Sequence, residues 1–216
     1  MTGFPVILSS PSGGGKTTIA HELLRRREDL GYSVSCTTRL PRSGEVDGED
    51  YFFLTLKEFE SAREKGEFAE SADVHGKHYG TLRREVDRVL SSGRHIVMDI
   101  DVQGARQFVE AYPESVLIFV LPPNAEVMLQ RLEGRGTESA ESLSTRLKSA
   151  IQELRAIGLY HYVVVNEDLA QAVQAVSGII DAEGERRTRI AGLDERVNAI
   201  VGDLERQLDQ INRSRS

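Results

Sequence analysis

The stretch Ser9-Ser10-Pro11-Ser12-Gly13-Gly14-Gly15-Lys16-Thr17-Thr18 sets three consecutive glycines and a lysine between the apolar Pro5-Val6-Ile7-Leu8 and the helix-like Ile19-Ala20-His21-Glu22-Leu23-Leu24. A glycine-rich turn between strand and helix can aim several backbone N–H groups at one anion, and the helix N-terminus adds partial positive charge behind them. Ser12, Gly13, Gly14, Gly15, Lys16, Thr17 and Thr18 are therefore expected to cradle the phosphates of a nucleoside triphosphate. Lys16 supplies a mobile full charge for the outer phosphates, and the Thr17 hydroxyl is placed to ligate Mg2+. Ser10 stands where the usual eight-residue pattern begins with glycine, and it fits there only if its backbone avoids positive φ.

Three further groups carry charge in chemically useful spacing. In Ser35-Cys36-Thr37-Thr38-Arg39-Leu40-Pro41-Arg42, two arginines beside a stiffening proline can grip one phosphate as a fork. Asp99 closes the apolar Ile96-Val97-Met98, the place from which an acid reaches magnesium in many phosphate-loop proteins. It is expected to act on the ion through water or to orient the acceptor. Arginines flank Gly134-Arg135-Gly136, whose glycines permit a hinge, so a small lid is expected over residues 131–146. Taken singly, Arg39 and Arg42 also read as surface charges, Glu70 as a solvated acid, and Tyr51 and Tyr79 as half-buried core residues.

These groups need a scaffold, and the hydrophobic pattern supplies one. Short apolar or β-branched runs recur at residues 6–8, 33–37, 95–101, 116–121 and 162–165, separated by stretches of helical spacing. The fold class is therefore α/β, a parallel sheet covered by helices, with ligands expected beyond the carboxyl ends of the strands. Residues 35–91 interrupt the rhythm with Tyr51-Phe52-Phe53, Glu67-Phe68-Ala69 and a charged helix over 56–65, which reads as an inserted lobe. Near the end, Ile190, Leu193, Val197, Ile200, Leu204, Leu208 and Ile211 repeat at three- and four-residue steps and define an amphipathic helix. Gly192 and Gly202 weaken it, and its stripe suits either packing on its own domain or a short coiled coil with a second copy.

Composition narrows the classes. The 216 residues suit one α/β domain with an appendage, and a formal charge of −7 argues against a general nucleic-acid binder. Cys36 is the only cysteine, which rules out an intramolecular disulfide and fits a reducing compartment. The longest apolar run, residues 116–121, cannot span a bilayer, and no basic start followed by an apolar secretory core appears. A cytoplasmic protein with neither membrane nor nucleic-acid partner is expected. His75 and His78, even with Cys36, have no metal-ligand spacing, and Arg25-Arg26-Arg27 suits the C-terminus of a helix.

Further motifs follow the phosphate loop in order: Gly44-Glu45, Asp47-Gly48-Glu49-Asp50-Tyr51 and Phe53, Phe68-Ala69-Glu70, His78-Tyr79-Gly80-Thr81, and Met98-Asp99-Ile100-Asp101-Val102-Gln103-Gly104. From about residue 5 to about residue 183 the chain resembles the guanylate kinases. That resemblance implies a P-loop kinase core (1–34 and 92–183), an acceptor-binding lobe (35–91) and the lid, all within 1–183, followed by a C-terminal helical extension (184–216). It implies that Arg39, Arg42, Tyr51 and Tyr79 hold the phosphate of GMP, and that Ser35, Glu70, Thr81 and Asp101 face its guanine. It further implies that Arg131, Arg135 and Arg146 close over the triphosphate of ATP and that Asn166 lies at the adenine. Lys16, Arg39, Asp99, Arg135 and Arg146 are the implied catalytic groups, with Mg2+ as cofactor.

Chemistry agrees with the base assignment. Guanine presents N1–H and its 2-amino group as adjacent donors, which one carboxylate such as Glu70 accepts together, while O6 accepts from a hydroxyl such as Ser35. Adenine reverses the pattern, and a polar site of this kind discriminates by about 10⁴. The implied reaction moves the γ-phosphoryl of ATP to GMP, and to dGMP, within purine metabolism. A GTPase switch is disfavoured because the chain has no Asn-Lys-x-Asp sequence. A kinase of the same fold acting on a phosphorylated sugar, or a guanylate-kinase-like binding module without catalysis, stays open at this point, as does a homo-oligomer built through the C-terminal helix.

Overall fold

The computed structural model describes residues 3–74, 76–133 and 140–214. Five strands, β1 (Pro5–Ser9), β2 (Leu30–Tyr32), β7 (His95–Asp99), β8 (Val116–Leu121) and β9 (Tyr162–Val165), form a parallel sheet in the order β2-β7-β1-β8-β9. Between β2 and β7 the chain builds a second sheet from β3 (Cys36–Thr37), β4 (Phe52–Phe53), β5 (Phe68–Val74) and β6 (Lys77–Leu82), in the order β4-β3-β6-β5. The helices are α1 (Lys16–Arg26), α2 (Leu56–Glu64), α3 (Arg83–Ser91), α4 (Val102–Ala111), α5 (Ala125–Glu133), α6 (Ala140–Arg155), α7 (Leu169–Gly184) and α8 (Leu193–Ser214).

The central strands of the large sheet are apolar on both faces because both are covered, whereas the edge strand β9 leaves Val163 and Val165 exposed. Val6, Leu8, Val97, Ile118 and Val120 pack with Ile19 and Leu23 of α1 and Val173 and Val176 of α7. The alternate residues Ile7, Ile96, Met98 and Leu117 pack with Val86 and Val89 of α3 and Phe108 of α4. A period of two along strands buried on both sides gives the continuous apolar runs seen in the sequence. Deleting a fully buried ring such as Phe108 would cost about 3–5 kcal/mol. In the small sheet, Phe59 of α2 stacks on Phe68 at 4.5 Å, and α2 starts at a capping box in which Thr55 and Glu58 satisfy each other's backbone N–H.

One element differs from the sequence reading. Residues 33–37 are not a core strand: the second core strand is Leu30–Tyr32, and Cys36–Thr37 belongs to the small sheet, where it pairs with Phe52–Phe53 and with β6. Gly31 explains the shift, since a Cβ there would lie 2.5 Å from Val89 Cγ1, so a glycine is what lets α3 close on the edge of the sheet. α3 itself packs on the large sheet.

At the amino ends of the strands the chain is fastened before α8 begins. Arg189, 9 % exposed, pairs with buried Glu183 at 3.4 Å, donates to the Glu114 carbonyl at 2.9 Å and lies 4.1 Å from the Phe4 ring centroid. The Tyr162 hydroxyl donates to the same Glu183 carboxylate at 2.6 Å. The apolar stripe of α8 then faces solvent rather than its own domain, with Leu204 64 % and Leu208 58 % exposed. Among the described residues no helix is long and apolar enough to cross a membrane.

Candidate active site

Strands β1 and β7 are neighbours with Leu8 opposite Asp99, so the phosphate loop and the acid emerge side by side at the carboxyl ends of the sheet. The loop turns at Gly13 (φ 84°) and Gly15 (φ 92°), and α1 begins at Lys16 without a side-chain cap, leaving its first N–H groups for an anion. Thr17 Oγ1 donates to Asp99 Oδ2 at 2.6 Å. A hydroxyl and a carboxylate beside a phosphate cradle are the oxygen donors that magnesium takes, so the residues fit the ion. Among the described residues there is no group of three or more His, Cys, Asp or Glu that could hold a metal ion.

A cleft of about 580 Å³ runs from this point into the small sheet. Lys16, Thr17 and Asp99 line one end, and Ser35, Tyr51, Glu70, Tyr79 and Asp101 line the rest. Glu70 is 7 % exposed and accepts the Thr81 hydroxyl at 2.6 Å. Burial pushes its carboxyl up to about 7; the Thr81 bond opposes that shift and the nearby Asp101 charge adds to it. Asp101 caps α4 by accepting the Gly104 N–H at 2.7 Å, which fixes one of its oxygens.

Arg39 does not line this cleft but a neighbouring hollow, with Thr38, Leu40 and Phe53. Its guanidinium is held by both oxygens of Glu45, at 2.9 and 2.8 Å, and lies 5.3 Å from the centre of the Tyr51 ring, which in turn meets Tyr79 edge-on at 6.2 Å. Arg42 is exposed, and its backbone N–H donates to the same Glu45 at 2.7 Å. The Arg39 neighbour lowers the Glu45 carboxyl below its usual range.

On the other side of the loop, Arg131 of α5 donates to the Asn166 carbonyl at 3.3 Å and Arg146 of α6 to Ser12 Oγ at 3.3 Å. Arg135 and the hinge glycines at 134 and 136 lie outside the described residues. Asn166, expected beside an adenine, is 5 % exposed and donates through Nδ2 to the Gly14 carbonyl at 2.9 Å.

Several residues here escaped the sequence reading. Glu153 accepts the Ser12 N–H at 3.3 Å, and burial raises its carboxyl while the Lys16 charge holds it down. It lies seven residues beyond Arg146 on α6, a spacing that returns to the same helix face and could have pointed to it. Tyr32 and His21 also line the cleft. The Tyr32 phenol is pushed above its ordinary range by burial and by the nearby Asp99 charge.

Comparison with known proteins gives a consistent result. A family model described as guanylate kinase matches residues 2–183. The guanylate kinase of Geobacter metallireducens is 44% identical over 188 residues, covering 87% of this chain and 93% of that one. That of Paramagnetospirillum magneticum is 45% identical over 201 residues, covering 93% and 94%. The crystal structure of guanylate kinase from Anaplasma phagocytophilum superposes with a TM-score of 0.74 at 35% identity, covering 92% of this chain and 95% of that one.

Proposed function

This chain belongs to the guanylate kinase family, and from that premise we propose that it transfers the γ-phosphoryl group of ATP to GMP, giving ADP and GDP. The observation that carries this reading is one cleft whose walls join Lys16, Thr17 and Asp99 to Ser35, Tyr51, Glu70, Tyr79 and Asp101. In it the donor's phosphates rest on residues 12–18, with Lys16 drawing on the outer ones. GMP lies toward the small sheet with its phosphate between Arg39, Arg42, Tyr51 and Tyr79. Its guanine N1–H and 2-amino group donate to ionised Glu70, and Ser35, Thr81 and Asp101 complete the base pocket.

Phosphoryl transfer asks little covalent work of the protein, so positioning and positive charge dominate. Thr17, and Asp99 directly or through water, would hold Mg2+, which would neutralise negative charge on the donor phosphates. Arg131, Arg135 and Arg146 are the donor-side cations, and their approach to the triphosphate excludes water that would otherwise take the phosphoryl group.

The sole, buried Cys36 suits the reducing cytoplasm, where this reaction serves purine metabolism. The solvent-facing stripe of α8 supports pairing with a second copy of this chain. The decisive experiment is ADP release with Mg-ATP across GMP, dGMP, AMP, CMP and UMP. Turnover with GMP and dGMP alone is expected; equal ADP release without any acceptor would make the protein an ATPase and overturn the reading.

A further inference from the structure

Asn166 follows β9, and its environment is unusually constrained for a residue expected to touch a base. Its backbone N–H donates to the Leu121 carbonyl at 2.8 Å and its carbonyl accepts from Arg131 at 3.3 Å, so the main chain is fixed from two sides. Its side chain reaches across 152 positions of sequence to the Gly14 carbonyl, at 2.9 Å. At Gly15, with φ +92°, a Cβ would lie 2.4 Å from Asn166 Nδ2, so the amide is packed directly on the loop backbone.

The Gly14 carbonyl and the Gly15 N–H belong to one planar trans peptide and point in opposite directions. Drawing the carbonyl to Asn166 therefore turns the Gly15 N–H to the opposite face of the loop. A free Gly14-Gly15 peptide can flip at little cost, because glycine populates both signs of φ. We propose that Asn166 is a positioning residue for the phosphate cradle: its amide locks the Gly14-Gly15 peptide in the orientation that presents the Gly15 N–H to the donor phosphates, and it does not select the base.

The inference rests on the reading that this loop holds the donor triphosphate, and it separates cleanly from a base-reading role. A residue that reads adenine discriminates between bases. One that orients the loop affects every polyphosphate alike, including one with no base.

The test is calorimetric titration of Mg-ATP, Mg-ITP and magnesium tripolyphosphate into the full chain, as wild type, Asn166→Ala and Asn166→Asp. Loss of one hydrogen bond to a buried carbonyl predicts weaker binding of all three ligands by a common factor of about ten in Asn166→Ala. Asn166→Asp keeps the volume but turns an acceptor toward the carbonyl, so its loss should be at least as large; it also carries the test if the alanine variant fails to fold. The inference is overturned if ATP weakens while ITP and tripolyphosphate do not, if Asn166→Asp binds like wild type, or if Asn166→Ala changes nothing. These are binding measurements on the donor side. The kinase reading stands or falls separately, on GMP-dependent ADP release by the wild-type protein.

Discussion

Glu45 grips the Arg39 guanidinium with both carboxylate oxygens while one of them also accepts the Arg42 backbone N–H. One acid thus sets the rotamer of the first arginine and the turn that carries the second. Glu45→Gln keeps an acceptor but loses the charge and one prong of the fork, leaving Arg39 free to leave the face of Tyr51. The expected outcome is a several-fold rise in KM for GMP with KM for ATP unchanged, read from initial rates. An equal rise in both constants would show that Glu45 supports the fold rather than the acceptor phosphate.

The proposed contact of Glu70 with guanine would link acceptor choice to pH. The Glu70 carboxyl is held up at about 7, chiefly by burial, whereas guanine needs the ionised form. KM for GMP should therefore fall as pH rises from about 6 to 8, and KM for ATP should not follow it. Stability runs the other way. A carboxyl whose folded pKa lies above its ordinary value of 4.5 stabilises the fold fully below 4.5, and this contribution is lost as pH rises through about 7. Glu70→Gln leaves an acceptor for Thr81 and removes that titration. It should unfold at a higher temperature than wild type at pH 8, by a free energy on the order of 3 kcal/mol at most, and match it near pH 4.5. The same variant should erode the preference for GMP over AMP. Unchanged preference would remove Glu70 from the base pocket.

Self-association should depend on the centre of the α8 stripe, where Ile200 is 52 % and Leu204 64 % exposed. Light scattering of the wild-type chain should give a multiple of the monomer mass, and Ile200→Glu with Leu204→Glu should return the monomer with the phosphoryl-transfer rate retained. A wild-type monomer at tens of micromolar would refute pairing through this helix.

The alternation of strands and helices is legible because both faces of the large sheet are covered over β1, β7 and β8, so each of these strands is a plain apolar run. The second core strand is not legible. Leu30-Gly31-Tyr32 is three residues long, and its glycine answers to the approach of Val89 rather than to any strand preference, whereas the neighbouring Ser33 to Thr37 carries the stronger local signal. Within the cleft, Lys16, Thr17 and Asp99 were nameable from motif spacing, and Ser35, Tyr51, Glu70, Tyr79 and Asp101 only through the resemblance to guanylate kinases; all of them line its walls. What spacing could not supply are the bonds that brace those motifs. Ser12 meets Glu153 across 141 positions and Gly14 meets Asn166 across 152, and only the closed sheet brings them within reach.

Arg189 anchors the chain on Phe4 and Glu114, where the strands of the large sheet begin, while the phosphate loop opens where β1 ends. The C-terminal helix consequently starts from the end of the sheet opposite the phosphate loop. A fusion partner or a solid support attached where that helix begins would sit at the end of the sheet away from the phosphate loop.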